Sequence, residues 1–380
     1  RSDSVPPTQD DDTDPGGSMQ RTRIRSRRLL LLVVVVGLSV VVARAAGARD
    51  EGPPLAFGND FHLSPSLEDD VRFWIDVFTR YALDEAIVHD RENPSHVFAV
   101  VPLDSGRSQE LDAVRSRYLK LAAGLRDASP RNLTRLLAPF SPPLAPRAIS
   151  EAAGRLRVQP GQREVFRNSL LRSQRYLPML RRVLAAADLP LELAYLPHVE
   201  SSFESGAESH AGAIGLWQLM PDTARELLLR VDDKVDERLQ PLKATAAAAA
   251  YLRDAHDRLQ SWPLAVTSYN YGLNGTLRAV DTVGSRHLHD ILAQHSSPSF
   301  GFASRNFYAQ FLAAVHVAEN EDWYFPEIAE MRRREYVVQK GDSLWTIARR
   351  HGVSVERIRS ANRLTESARL QLGQRIMMPG

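Results

Sequence analysis

One carboxylate stands out by position. Pro190 opens a predicted helix through Leu191-Glu192-Leu193-Ala194-Tyr195-Leu196-Pro197-His198-Val199-Glu200, where a residue without an N–H is tolerated in the first turn. Leu193, Leu196 and Glu200 share one face of that helix. A carboxyl on an apolar face, near the negative end of a helix, is disfavoured as an anion, so its pKa should rise and it can donate a proton at neutral pH. Periodicity alone favours a plainer outcome, a Glu projecting into solvent as the helix ends. Other titratable groups offer less. His198, His210 and His256 lack the spacing of metal ligands, Asp232 and Asp233 look like a solvated loop, and Asp236-Glu237-Arg238 reads as an internal ion pair with a capping role. No metal and no cofactor is expected.

The elements that must position Glu200 are mostly helical. Ser66-Leu67-Glu68-Asp69 starts a helix carrying Trp74, Val77, Phe78 and Tyr81, and a second amphipathic stretch holds Leu111, Val114, Tyr118 and Leu121. Prolines between Ala138 and Arg147 mark a linker. From Val158 to Val317 the pattern is helical, with no convincing strand alternation. The last residues change character. Tyr336-Val337-Val338 and Gln374 to Pro379 are β-like and flank two helical stretches, a β-α-α-β order in which Asp342 is the expected N-cap and Gly373 the turn into the last strand.

Composition narrows the classes. A net charge of +2 from 48 basic and 46 acidic side chains gives no reason to expect nucleic acid. The absence of cysteine excludes disulfides, thiolate metal sites and cysteine nucleophiles. Arg21, Arg23, Arg25, Arg27 and Arg28 precede an apolar run from Leu29 to Ala43, the layout of an export signal. That run is short of the roughly 20 residues of a spanning helix. Small residues around Ala43 to Ala48 allow cleavage, and retention as an N-terminal anchor is the competing reading. Export implies a periplasmic or cell-envelope location, and retention of the segment would attach the chain to the membrane.

Glu200-Ser201 is followed by Ser209-His210-Ala211-Gly212-Ala213-Ile214-Gly215-Leu216-Trp217-Gln218-Leu219-Met220-Pro221, and later by Ser268-Tyr269-Asn270-Tyr271-Gly272. This set resembles the motifs of lytic transglycosylases of the lysozyme-like superfamily, which act on bacterial peptidoglycan. Val158 to Arg163, Asp236-Glu237-Arg238 and Phe300 to Tyr308 look most like the subgroup of membrane-bound lytic murein transglycosylase D. Leu219 and Ala224 depart from the usual Phe and Gly. The resemblance implies an all-helical catalytic domain over 156–325, with Glu200 as its sole acid/base and Ser201, Ser209, Gln218, Met220, Tyr269 and Asn270 around the glycan. Tyr269 would hydrogen-bond Glu200. The implied reaction leaves 1,6-anhydro-N-acetylmuramic acid ends on strands of N-acetylglucosamine and N-acetylmuramic acid. A hydrolase using water, and a catalytically silent peptidoglycan-binding scaffold, are the alternatives.

Residues 336–380 are similar to LysM modules, which implies an N-acetylglucosamine groove along Gly341, Asp342, Ser343 and Leu344 and near Asn362 and Leu364. The expected organisation is then an upstream tail and signal over 1–48, an N-terminal helical region and linker over 49–155, the catalytic domain and the LysM module. The fold class is mainly α.

Overall fold

The computed structural model describes residues 52–103, 128–129, 131–132, 155–365 and 368–379. The apolar run before Ala43, the stretch from Leu111 to Leu121 and the Pro-rich linker lie outside them. Among the described residues no helix is long and apolar enough to cross a membrane. The chain divides into two compact units, one ending at Ala318 and one beginning at Glu319.

In the first unit, helix α1 (Glu68–Thr79) begins with Glu68, Asp69 and Asp70, whose charges suit the positive helix end. Trp74, Val77 and Phe78 are buried as the spacing predicts. The chain then departs from the helical expectation. Strands β1 (Glu85–Asp90), β2 (Val97–Pro102) and β3 (Leu156–Pro160) form an antiparallel sheet in the order β2-β1-β3. Ala86, Ile87, Val88, His89 and Asp90 are all buried, so β1 lacks the alternation that identifies a half-exposed strand. Its partner β3 is distant in sequence, and Arg155 pairs with Asp90 at 2.7 Å where the two strands meet.

Helix α2 (Arg163–Ala186) follows directly and buries Phe166, Leu170, Leu180 and Leu184. A 3-10 turn (Leu191–Tyr195), α3 (Pro197–Glu200) and α4 (Pro221–Glu226) lead to α5 (Pro241–Leu259). On α5, Ala244, Ala247, Ala248 and Ala255 are buried, and their small side chains let it pack closely on α2 and on the next helix. Helices α6 (Trp262–Tyr271), α7 (Leu273–Val283), α8 (Leu288–Gln294) and α9 (Phe302–Glu319) complete the unit. Helix α9 is buried almost all round, as befits a central helix. The described N-terminal residues pack against it. Phe61 meets Phe311 edge-on at 5.2 Å, Trp74 Nε1 donates to Asn306 Oδ1 at 3.1 Å, and the Tyr308 hydroxyl donates to the His62 carbonyl at 3.1 Å. Those N-terminal residues therefore belong to the same core as α9.

The second unit holds α10 (Glu321–Tyr324), α11 (Pro326–Arg333), β4 (Glu335–Val337), α12 (Leu344–His351), α13 (Val355–Asn362) and β5 (Arg375–Met377). The β-α-α-β order is the expected one, and β4 pairs antiparallel with β5. Its core is Val338, Leu344, Ile347, Ala348, Ile358 and Ile376. The N-cap of α12 is Ser343, not Asp342. Ser343 Oγ accepts the Thr346 N–H at 3.1 Å while Thr346 Oγ1 accepts the Ser343 N–H at 2.8 Å, so a side-chain acceptor at the third helical position selects the capping residue. Asp342 instead closes the preceding turn, accepting from the Gln339 N–H at 2.8 Å and the Tyr336 hydroxyl at 2.6 Å. Gly341 supplies the φ of +89° that this turn requires.

Asn362 is equally committed. Its Nδ2 donates to the carbonyls of Ile358 (2.7 Å) and Met377 (2.8 Å), and its Oδ1 accepts the Met377 N–H at 2.7 Å. Leu344 is in the core and Leu364 packs against it. All six residues expected along a glycan groove thus have folding roles. Asn362→Ala would leave both main-chain groups of Met377 short of a partner and should destabilise this unit by about 2 kcal/mol. Faster amide exchange at Met377 in the full chain checks this; exchange at the wild-type rate would refute it.

Candidate active site

Pro197 divides the segment leading to Glu200. A single helix from Pro190 is not formed, because Pro197 has no N–H to continue the ladder and instead starts α3 at its first position. Leu193 and Leu196 are fully buried. Glu200 ends α3 half-buried, and no donor or cation among the described residues bonds its carboxyl. Burial alone pushes that carboxyl up to about 8. The carboxyl thus has the raised pKa expected on an apolar helix face, unlike a group that projects into solvent.

The chain then turns sharply. Ser201 and Phe203 both donate their N–H to the Pro197 carbonyl, at 3.1 and 3.0 Å. Ser202 and Phe203 have φ of +52° and +58°, a left-handed pair without glycine that costs on the order of 1–3 kcal/mol per residue. Burial of Phe203, edge-on to His198 at 4.6 Å, helps to hold it. His198 is itself enclosed. Its Nδ1 lies 2.7 Å from Ser169 Oγ, and burial drives its pKa down to about 3, so it stays neutral.

Residues 207–219 form a tight loop beside this turn. Ser209 Oγ accepts the Ala213 N–H at 2.9 Å, and Gly212 and Gly215 adopt φ of +85° and +82°. A Cβ on Gly215 would sit 2.4 Å from the Arg238 carbonyl, so backbone approach requires glycine there. Gln218 Nε2 donates to the Ala207 and Gly215 carbonyls at 3.1 and 2.9 Å. Its amide hydrogens brace the loop from within. Trp217 is fully buried, with Nε1 donating to Thr245 Oγ1 at 2.9 Å.

Two side chains beside Glu200 reach this loop. Ser201 Oγ donates to the Leu216 carbonyl at 2.8 Å, and the Tyr269 hydroxyl donates to the Trp217 carbonyl at 2.8 Å. The expected Tyr269–Glu200 hydrogen bond is not present, because the hydroxyl proton is spent on Trp217. Tyr269 is still close enough for the Glu200 charge, after burial, to help push its phenol well up. Asn270 Oδ1 accepts from Ser304 Oγ at 2.7 Å, which ties α6 to α9. Met220 precedes α4 as its N-cap and is half-buried. Glu200, Ser201, Gln218 and Tyr269 are thus drawn to one stretch of backbone. Ser209 folds its own loop, and Asn270 faces the neighbouring helix.

Arg238 locks the loop from below. It is 4% exposed, donates from Nη1 to the Gly212 and Leu219 carbonyls at 2.8 and 2.9 Å, and pairs with Asp236 at 2.7 Å. The ion-pair and capping reading of Asp236 and Arg238 holds, but their grip on the Gln218 loop is tertiary. Arg305 donates to the Leu292 and His295 carbonyls at the end of α8. Among the described residues no His, Asp and Glu cluster could hold a metal. A polar cavity of about 340 Å³ lies elsewhere in this unit, lined by Asp70, Arg91, His289, Arg305 and Asn306 among others and by none of the residues around Glu200. Asn306 is already bonded to Trp74 and to the Phe302 carbonyl, and Glu92 to Arg155.

This geometry coincides with a family match. Residues 183–291 match the transglycosylase SLT domain and residues 336–379 match the LysM domain. The chain therefore carries a transglycosylase SLT domain followed by a C-terminal LysM domain. Glu200, Tyr269 and the loop between them fall inside the first match, whereas the sheet, α1 and α9 lie outside it.

The chain is similar to membrane-bound lytic murein transglycosylase D of Escherichia coli (strain K12), at 32% identity over 117 residues, which is 30% of this chain and 26% of that protein. It is also 32% identical over 116 residues to a protein of Alteromonas sp. (strain M-1) named for tributyltin chloride resistance, covering 30% of this chain and 56% of that one. The chain thus spans between about a quarter and about half the length of these curated relatives. Among solved structures, an inactive mutant of lytic transglycosylase Slt from Pseudomonas aeruginosa matches 56% of this chain and 33% of its own, at 20% identity and a TM-score of 0.30. That likeness is too loose to argue from.

Proposed function

We propose that the chain is an exported peptidoglycan lytic transglycosylase in which Glu200 is the only acid/base. The observation that carries this reading is the Glu200 carboxyl itself, withdrawn from solvent with its pKa raised by burial, bonded by no donor among the described residues, and inside the matched SLT domain. Among the described residues, burial is the cause of its raised pKa. A hydrolysing glycosidase generally uses two carboxyls, one as acid and one as base or nucleophile. A transfer within the substrate needs one.

In that reaction Glu200 gives its proton to the oxygen linking N-acetylmuramic acid to N-acetylglucosamine, and the C1–O bond breaks. The substrate's acetamido group stabilises the positive sugar. Glu200, now a carboxylate, takes the proton of the muramoyl C6 hydroxyl as that oxygen bonds to C1. The enzyme returns to its starting state and the product carries a 1,6-anhydro end. Ser201, Tyr269 and Gln218 hold the loop beside Glu200, Asn270 ties α6 to α9 behind it, and Met220 flanks the glycan. The LysM module holds the same strand and raises its effective concentration at the first unit. The segment before Ala48 directs the chain to the periplasm or envelope and can anchor it in the membrane.

Two results test this reading. The full chain should release soluble fragments from purified peptidoglycan; binding without release would leave a silent scaffold. Because Glu200 must be protonated to start the cycle, kcat/KM should fall as pH rises through about 8. A pH profile whose alkaline limb lies near the ordinary value of 4.5 would mean that the acid is a solvated carboxyl instead.

A further inference from the structure

Helix α2 touches the Glu200 turn at two points, one on each side of the carboxylate. Ser169 and Arg172 lie three residues apart, on one face of that helix. Ser169 Oγ meets His198 Nδ1 at 2.7 Å, two residues before Glu200. Arg172 Nε donates to the Ser202 carbonyl at 2.9 Å, two residues after it, and Nη1 lies 3.3 Å from Glu204 Oε1. Ser202 is the first of the two left-handed residues. No glycine relaxes this turn, so its shape depends on outside contacts. The Pro197 carbonyl fixes its inner side through the Ser201 and Phe203 amides, and Arg172 fixes its outer side.

We propose that Arg172 is a positioning residue, which holds the Ser202 carbonyl so that the strained turn keeps the Glu200 carboxyl in its half-buried place beside Tyr269. Ser169 is its counterpart through His198. This rests on the reading of Glu200 as the acid. The Glu200 charge bears on Tyr269 from α6, while Arg172 from α2 bears on His198 and pairs with Glu204 on the Glu200 segment. None of them is hydrogen-bonded to the Glu200 carboxyl, so the guanidinium acts through the backbone. With Arg172 gone, the turn relaxes, water reaches Glu200, and its proton is held less tightly.

The test compares wild type, Arg172→Met and Arg172→Lys in the full chain, with thermal melting recorded for each. Arg172→Met should lower kcat about 10- to 100-fold with KM changed less than about twofold, since a small misplacement of an acid impairs chemistry more than binding. Its alkaline limb should move to lower pH, and the Glu200 carboxyl carbon, followed by isotope-edited NMR, should titrate toward the ordinary range. Arg172→Lys, which keeps a donor for Ser202, should recover part of both. If Arg172→Met melts early, the Lys variant carries the same comparison. A lowered melting point with the Glu200 titration and the pH limb unmoved would reduce Arg172 to a structural residue and overturn the proposal. The NMR titration needs no turnover, so a wild-type chain that forms no anhydro ends, with a Glu200 titration that still depends on Arg172, would refute the reaction and leave the clamp standing.

Discussion

Glu200→Gln should lower kcat/KM on peptidoglycan by about 10²- to 10⁴-fold, the usual worth of a positioned acid/base, and should make the first unit more stable at alkaline pH. The second effect has a definite sign. The carboxyl titrates at about 8 in the fold against 4.5 in an unfolded chain, so its favourable contribution is complete below about 4.5 and is lost as pH rises through about 8. Glutamine never ionises. The variant should therefore match wild type near pH 4.5 and exceed it near pH 9, by an amount on the order of a few kcal/mol. Melting of the two chains at both pH values measures this. Equal stability at both would mean that Glu200 is solvated and has no reason to hold a proton.

Arg238→Met should have the largest effect on stability. Its guanidinium is the common anchor for Gly212, Leu219 and Asp236, and a buried charge network that loses one partner typically costs about 3–5 kcal/mol. Activity should fall as well, because the released loop carries Gln218 and receives the Ser201 and Tyr269 bonds. Amide exchange at Gly212, Gly215 and Gln218, whose N–H groups bond within the loop, should quicken more than exchange in α5. Wild-type melting and exchange would show that Gln218 and its carbonyl partners hold the loop unaided.

Local pattern made much of this legible. Leu193, Leu196 and Glu200 sit where the helical spacing puts them, although Pro197 breaks the helix beneath them. The C-terminal β-α-α-β order was readable because short β-like runs flank two amphipathic stretches. What could not be read depends on partners distant in sequence. Strand β1 is recognisable only beside β3, because both its faces are covered. Arg172 looks like any charge on a long helix until the Ser202 carbonyl is placed against it. Gln218, Tyr269 and Asn362 were identified as polar groups worth noticing, but the acceptors they reach are main-chain carbonyls, which no side-chain pattern encodes. Asp342 and Ser343 are both plausible caps, and only the return bond from Thr346 decides between them.

The most direct test of a single carboxyl doing both proton transfers is the mass of what the full chain releases from purified peptidoglycan, with Glu200→Gln beside it. Fragments ending in 1,6-anhydro-N-acetylmuramic acid, one water lighter than hydrolysis products and lost in the variant, are the expected result. Reducing ends from the wild-type chain would show that water is the acceptor, and would contradict the one-carboxyl mechanism.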